Sequence, residues 1–210
     1  MAAAGPGDAA AGLIALGTAT LAEAWPAARL LEAPLCPLAP GMACAGPAAT
    51  VRCTPGDNLA LHLAMARAAA GEVLVVDYGG STASGPFGEI MALACLARGL
   101  AGLVIDGAVR DSAQIAAAGF PVFARGLNIR GTAKADRGAC GGAVAIGGAA
   151  VAPGDWIVAD ADAVIALAAA DLPAALAAAR ARAAREEAMK RRIAAGETTL
   201  SILGLEEKAP

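Results

Sequence analysis

Two wholly apolar runs, each closed by an aspartate, constrain this chain more than any other feature: Val73 to Asp77 (VLVVD) and Leu103 to Asp106 (LVID). Strand-length runs without polar alternation belong to strands covered on both faces, the usual condition of parallel strands. Between them, Gly79 to Gly88 reads as a glycine-rich loop and about Gly88 to Arg98 as a helix. After the second run, Gly107 to Arg110 reads as a loop, about Asp111 to Ala118 as a helix, and Pro121 to Ala124 as a third short strand. Upstream, Ala49 to Cys53 is a strand candidate. Gly56-Asp57-Asn58 then opens a helix to about Ala69, with Asp or Asn placed to cap its free amides. Strands alternating with helices imply parallel pairing through right-handed crossovers, and therefore an α/β domain.

The flanks are less patterned. Residues 1–12 are Ala/Gly-rich and read as a frayed tail, Thr18 to Trp25 as a short helix, and Pro34 to Gly41 as an irregular connection. Gly126 to Gly148 is a stretch of turns and short strands. Two further strands follow at Trp156 to Ala159 and Ala163 to Leu167. A long helix from about Asp171 to Ala195 ends at Gly196 in the C′ position. No repeat or internal boundary divides the 210 residues, and one core of that size needs no staple. Aromatics are only 3% of the chain, so the core is built from Ala, Val, Ile and Leu.

Charge and cysteine usage exclude several partner classes. The net charge is −3 and no dense basic block exists, which argues against nucleic acid. The Arg180 to Arg192 cluster is interrupted by Glu186 and Glu187 and reads as a solvated helix face. Five scattered cysteines (Cys36, Cys44, Cys53, Cys95, Cys140) form no CxxC pair and suit a reducing cytoplasm. The N-terminus lacks the basic start of a secretory signal. Apolar runs are broken by Arg98, Asp106, Asp171 and Pro173 before the ~18–20 residues of a membrane span. The expectation is a cytoplasmic protein with no membrane partner.

In parallel sheets, ligands bind beyond the carboxyl ends of the strands. Two neighbouring loops lie there, one ending in Gly85-Pro86-Phe87-Gly88-Glu89 and the other in Gly107-Ala108-Val109-Arg110-Asp111. Carboxylates at positions 89 and 111 suit magnesium or manganese, one bound directly and one through water. Arg110 offers a donor fork for a carboxylate or enolate, and the free amides near Gly88 offer a second anion site. Spacing alone leaves a plainer alternative open, with Glu89 favouring a helix start and Arg110-Asp111 forming a surface ion pair. Other chemistries fit less well. The glycine loop is not GxGxxG, and Pro86-Phe87 stand where a Walker A loop needs Lys and Ser/Thr. His62, the sole histidine, reads as a structural mid-helix residue, and no Ser or Cys nucleophile has an evident His partner.

From about Thr18 to Leu205 the sequence resembles the RraA-like family, which includes the 4-hydroxy-4-methyl-2-oxoglutarate and 4-carboxy-4-hydroxy-2-oxoadipate aldolases. The resemblance is carried by PGDNLALH (55–62), GEIMALACLARGLAGLVIDGAVRD (88–111), GFPVFARG (119–126), RGTAKADRG (130–138) and REEAMKRRIAAGE (185–197). The family's acidic residue, twenty spacer positions and Arg-Asp are matched by Glu89, Arg110 and Asp111. By that resemblance Asp111 is the direct metal ligand. Glu89, where many members carry Asp, holds metal-bound water. Arg110 binds substrate and steadies the enolate oxygen. Gly88, Glu89, Ile90 and Met91 present amides to the pyruvyl carboxylate, Lys134 completes the pocket, and Glu186 reaches in from a neighbouring subunit through water. One departure is Ala163, where glycine is more usual.

The resemblance further implies a layered α/β/α domain of the swivelling, phosphohistidine-domain-like type, assembled as a homotrimer or dimer of trimers. Residues 1–17 would be a variable segment, 18–170 the α/β domain, and 171–210 a helix and tail at a subunit interface. The implied activity is a Mg2+- or Mn2+-dependent pyruvate aldolase with oxaloacetate decarboxylase side activity. Two alternatives accompany it: a non-catalytic regulator that binds ribonuclease E, and a relative acting on another 2-oxo acid.

Overall fold

The computed structural model describes residues 6–205. In chain order the elements are α1 (Pro6–Leu16), α2 (Thr18–Ala24), β1 (Arg29–Leu30), β2 (Cys36–Pro37), β3 (Cys44–Arg52), α3 (Leu59–Arg67), β4 (Val73–Asp77), α4 (Glu89–Ala97), β5 (Gly102–Val109) and α5 (Ser112–Ala118). There follow β6 (Val122–Leu127), β7 (Ala139–Cys140), β8 (Val144–Ile146), β9 (Ala149–Val151), β10 (Trp156–Ala159), β11 (Val164–Leu167), a single 3-10 turn at Ala169–Asp171, α6 (Leu172–Ala194) and α7 (Thr199–Leu203). Strands lie in the order β1-β11-β10-β3-β4-β5-β6-β2, with β7 pairing β3 and β8-β9 forming a separate hairpin. The β3-β4-β5-β6 block is parallel, as the sequence alternation requires, while β10, β11, β1, β2 and β7 pair antiparallel.

Period-two alternation assigns each side chain to a face. Leu74 and Val76 point into a core shared with α3, α4 and α5, whereas Val73 and Val75 point into a second core shared with β8 and β9. Odd positions of β3 join the helix side throughout: Val51 packs with α3, and Ala45 packs with α1, α2 and α6 over β10 and β11. All six of these helices therefore cover one face, and the hairpin with Leu31 and Leu35 closes the other. This corrects the expected α/β/α layering. The β8-β9 hairpin supplies a β-layer on the face where a second helical layer was expected, leaving a mixed α/β fold.

Two boundaries also differ from expectation. Residues 1–5 lie outside the described residues, but Pro6–Leu16 is a helix and not a tail, with Leu13 fully buried and Ala9 nearly so. Alanine is the best helix former and small enough to pack on any side, so the segment shows no obvious stripe. The loop expected at Gly107 to Arg110 is strand as far as Val109, because β6 resumes pairing after a register shift between Ile105 and Ala108. At that irregularity the buried Asp106 carboxylate accepts a hydrogen bond from Arg125.

Other boundaries match closely, including β4, β10 and the start of α6. Gly196 takes the left-handed conformation past α6 with φ of 94°. At Ala163 no positive φ is required, so the departure from glycine causes no backbone strain. No helix among the described residues is long and apolar enough to cross a membrane.

Candidate active site

The carboxyl ends of the parallel strands gather four connections: 53–58 after β3, 78–88 after β4, 110–111 after β5 and 128–138 after β6. The second is pinned from below. Phe87 is fully buried and stacks on Phe120 with ring centroids 6.0 Å apart. Its carbonyl accepts the Arg110 amide at 2.9 Å, which joins the β4 and β5 connections directly.

Asp111 is the only non-glycine residue with positive φ among the described residues (φ 55°, ψ 38°). That uncommon conformation lets the chain turn at once from β5 into α5. It also brings the Asp111 carboxylate to the start of α4, where one oxygen accepts the Glu89 amide at 3.1 Å. A neighbouring loop thus supplies the anion that the positive helix end favours. The same oxygen lies 3.6 Å from Arg110 Nε. Glycine at position 88 leaves room for the Asp111 carboxylate, which a Cβ there would displace while pressing against the Arg110 side chain. At Gly85 a Cβ would collide with the Asn128 carbonyl, so the β6 connection also closes on this loop.

The sequence-derived residues fall into three groups. Gly88, Glu89, Ile90, Arg110 and Asp111 come together at this edge. Arg110 and Asp111 are each about two-fifths exposed at the side chain, and Glu89 is half-buried with no ion pair among the described residues. The amide row is partly used within the protein: Asp111 takes Glu89, the Gly88 carbonyl takes Met91, and Gly88 and Ile90 have no amide partner among the described residues. The Met91 side chain is buried in the helix-side core.

Lys134 is exposed on the 128–138 connection, three residues beyond Gly131, which borders Arg110 Nη1. Its charge is felt at the start of α3. The Asp57 carboxyl is held below its ordinary value, first by the Leu59 amide, then by that of Ala135, with Lys134 adding to the effect. His62 is pushed down by burial and by Lys134. Glu186 is not brought here within one chain. It lies on α6, which packs over β10 and β11, and it pairs with Arg182 at 2.7 Å.

The donor set suits a hydrated divalent cation. Asp111 is accessible and accepts the Glu89 amide, while no group of three or more His, Cys, Asp or Glu among the described residues is placed to hold a metal ion by itself. Magnesium binds in that manner, through one or two carboxylates with water and substrate oxygens filling the rest.

A family description, RraA-like (aldolase/RraA), matches residues 18–166, which hold the sheet and all of these loops. The chain belongs to the RraA-like family. A Halalkalibacterium halodurans relative, provisionally named 4-hydroxy-4-methyl-2-oxoglutarate aldolase, is 38% identical over 103 residues, 49% of each chain. The match thus spans about half the length of that curated relative. Among solved structures, a Geobacillus kaustophilus protein titled S-adenosylmethionine:2-dimethylmenaquinone methyltransferase is 33% identical with a TM-score of 0.69, covering 72% of this chain and 94% of its own. The RNA-processing inhibitor RraA of Thermus thermophilis is 28% identical with a TM-score of 0.67, covering 72% and 92%.

Sequence reasoning missed how the RraA-like loops are stitched together. Asp57 and Asn58 were read only as a helix start, yet they bond to the 128–138 and 78–88 connections. Tyr78 Oη accepts the Gly56 amide and meets Ser84 Oγ. The PGDN string was the available signal, since a cap needs only one of its two polar side chains.

Proposed function

We propose that this RraA-like chain is a divalent-metal-dependent lyase. It cleaves a 4-hydroxy-2-oxo di- or tricarboxylic acid to pyruvate and a second oxo acid, and decarboxylates oxaloacetate as a side activity. The observation that carries this reading is the Asp111 carboxylate lodged against the Glu89 amide beside the Arg110 guanidinium.

Asp111, with Glu89 through water, would hold Mg2+ or Mn2+, which when bound supplies Lewis acidity toward the substrate's 2-oxo acid oxygens. The Gly88 and Ile90 amides receive the pyruvyl carboxylate at the helix start. Arg110, its backbone fixed through the Phe87 carbonyl, sets positive charge where enolate charge develops. As the C3–C4 bond breaks, its electron pair passes to the enolate while a carboxylate-held water takes the 4-hydroxyl proton. The freed 4-carbon becomes a carbonyl, and a proton returned to C3 completes pyruvate. Oxaloacetate loses carbon dioxide through the same enolate.

Lys134 borders the substrate in this scheme, and Glu186 enters from a neighbouring copy in a homotrimer or dimer of trimers. Support for assembly comes from apolar side chains left open around the site: Ile90, Leu127 and Ile129 are 76%, 60% and 91% exposed. The swivelling fold type and a cytoplasmic setting belong to the same reading, the latter supported by five free cysteines.

The likeness to the Thermus RNA-processing inhibitor favours a second reading, a ribonuclease regulator. The separating experiment measures pyruvate release from 4-hydroxy-4-methyl-2-oxoglutarate, 4-carboxy-4-hydroxy-2-oxoadipate and oxaloacetate, with magnesium and with chelator. Metal-dependent turnover that Asp111→Ala abolishes is the expected result. No turnover on any substrate, with tight binding to ribonuclease E, would establish the regulator instead.

A further inference from the structure

Two polar side chains at the start of α3 are used well beyond that helix. One oxygen of the Asp57 carboxylate accepts the Leu59 amide at 2.8 Å, closing a turn just ahead of the helix. Its other oxygen accepts two amides from a segment remote in sequence, Ala135 at 2.7 Å and Asp136 at 3.2 Å. Around that contact the Asn58 amide donates to the Ala133 carbonyl, the Ala133 amide donates to the Gly56 carbonyl, and Asp57 bridges Ala133 in parallel. The Thr54 hydroxyl holds the Asp136 carboxylate at 2.5 Å. The backbone on both sides of Lys134 is therefore fixed to the β3 connection.

Asn58 works on the other loop. Its side chain does not cap α3; its Nδ2 instead donates to the Pro86 carbonyl at 2.7 Å, two residues before Gly88. The residue is 5% exposed, and its Oδ1 has no hydrogen-bond partner among the described residues. The Asn58 side chain thus ties the start of α3 to the β4 connection.

We propose that Asp57 and Asn58 are positioning residues for the site: Asp57 sets Lys134 against the substrate, and Asn58 sets the Gly88 and Ile90 amides that receive its carboxylate. The inference rests on the aldolase reading above and adds to it the device that fixes the distance between cation and amide row. Neither side chain touches the reacting atoms. Their effect is exerted through the two loops, which both border Arg110, at Gly131 and at Gly85 and Gly88.

A double-mutant cycle on the full chain tests this, reading kcat and KM for pyruvate release beside thermal denaturation. Asp57→Asn keeps the shape but replaces an acceptor by a donor. It is expected to lower kcat/KM roughly 30-fold in the native background and less than about threefold once Lys134→Met is present. Asp57→Glu, which retains the carboxylate, is expected to recover part of the loss. Asn58→Ala is expected to raise KM more than it lowers kcat, because the amide row binds the substrate carboxylate. Should Asp57→Asn not fold, Thr54→Val loosens the same segment and takes its place in the cycle. Losses from Asp57→Asn and Lys134→Met that simply multiply, or an unchanged kcat/KM, would overturn the proposal.

Should the native protein release no pyruvate, the aldolase reading fails by itself and hydrogen exchange decides the positioning role. Asp57→Asn is then expected to speed exchange of the Ala135 and Asp136 amides at least roughly tenfold while β10 and β11 stay protected. Equal exchange in both proteins would refute the stitching.

Discussion

Replacing Gly88 by alanine perturbs the site with one methyl group and almost nothing else. Its backbone is extended (φ −147°, ψ −170°), a conformation open to alanine, so no strain attaches to the residue itself. The added Cβ must displace the Asp111 carboxylate and crowds the Arg110 side chain. The lost hydrogen bond to the Glu89 amide involves a charged acceptor, nominally about 1.5–3 kcal/mol. With the Asp111 side chain 41% exposed, water recovers much of that, leaving about 1 kcal/mol. Alanine returns about 0.4–1 kcal/mol by restricting the unfolded chain. Net stability should change by less than about 1 kcal/mol, a melting shift of no more than ~4 °C for a chain of this size.

Activity should respond very differently, because moving a catalytic carboxylate by about 1 Å costs on the order of 100-fold. The assay couples pyruvate release to lactate dehydrogenase, with thermal denaturation run on the same preparations. Native kcat/KM in Gly88→Ala would refute the claim that Asp111 acts from its position against α4. A collapse in melting temperature would show that the stability reasoning is wrong.

Further outcomes follow from the same structure. Burial pushes the thiols of Cys44, Cys53 and Cys95 up to about 12, so at pH 8 an alkylating reagent should label exposed Cys36 first and reach those three only after denaturation, as intact mass will record. Burial pushes the Asp160 carboxyl up, but hydrogen bonds from the Thr18 hydroxyl and amide and from the Asp162 and Ala163 amides hold it below its ordinary value. A depressed folded pKa contributes stability that is complete above the unfolded value of about 3.9 and lost as pH falls through the folded one. Asp160→Asn should therefore cost about 1–2 kcal/mol at pH 7 and flatten the acid limb of a stability-against-pH curve; an unchanged limb would exclude the linkage. Arg110→Lys keeps the charge but not the fork, and kcat should fall by roughly 10²-fold with a smaller change in melting temperature.

The parallel block was legible in the sequence because VLVVD and LVID, buried on both faces, carry no competing pattern. The edge carrying Glu89, Arg110 and Asp111 followed from strand polarity alone. The layering was not legible, since helices α3 to α5 alternate with strands equally well whether they lie on one face or both. Nothing in a glycine-rich stretch announces that Val144 to Val151 will fold back as a hairpin over Val73 and Val75. The α1 helix escaped notice because an alanine-rich surface has no contrast between its faces. The left-handed turn at Asp111 gives no signal in composition. The reach of Asp57 to Ala135 depends on a loop meeting a strand end 78 positions away, which local spacing does not encode.

In the proposed lyase, the carboxylates at positions 111 and 89 hold a divalent cation beside Arg110. The most direct measurement is anomalous diffraction from crystals grown with Mn2+ and oxalate, an unreactive mimic of the pyruvate enolate. The account predicts one strong peak about 2.0–2.2 Å from an Asp111 oxygen, oxalate on the cation's open side, and no peak in Asp111→Ala crystals. Manganese bound elsewhere, or the same peak surviving in the Asp111→Ala protein, would contradict it.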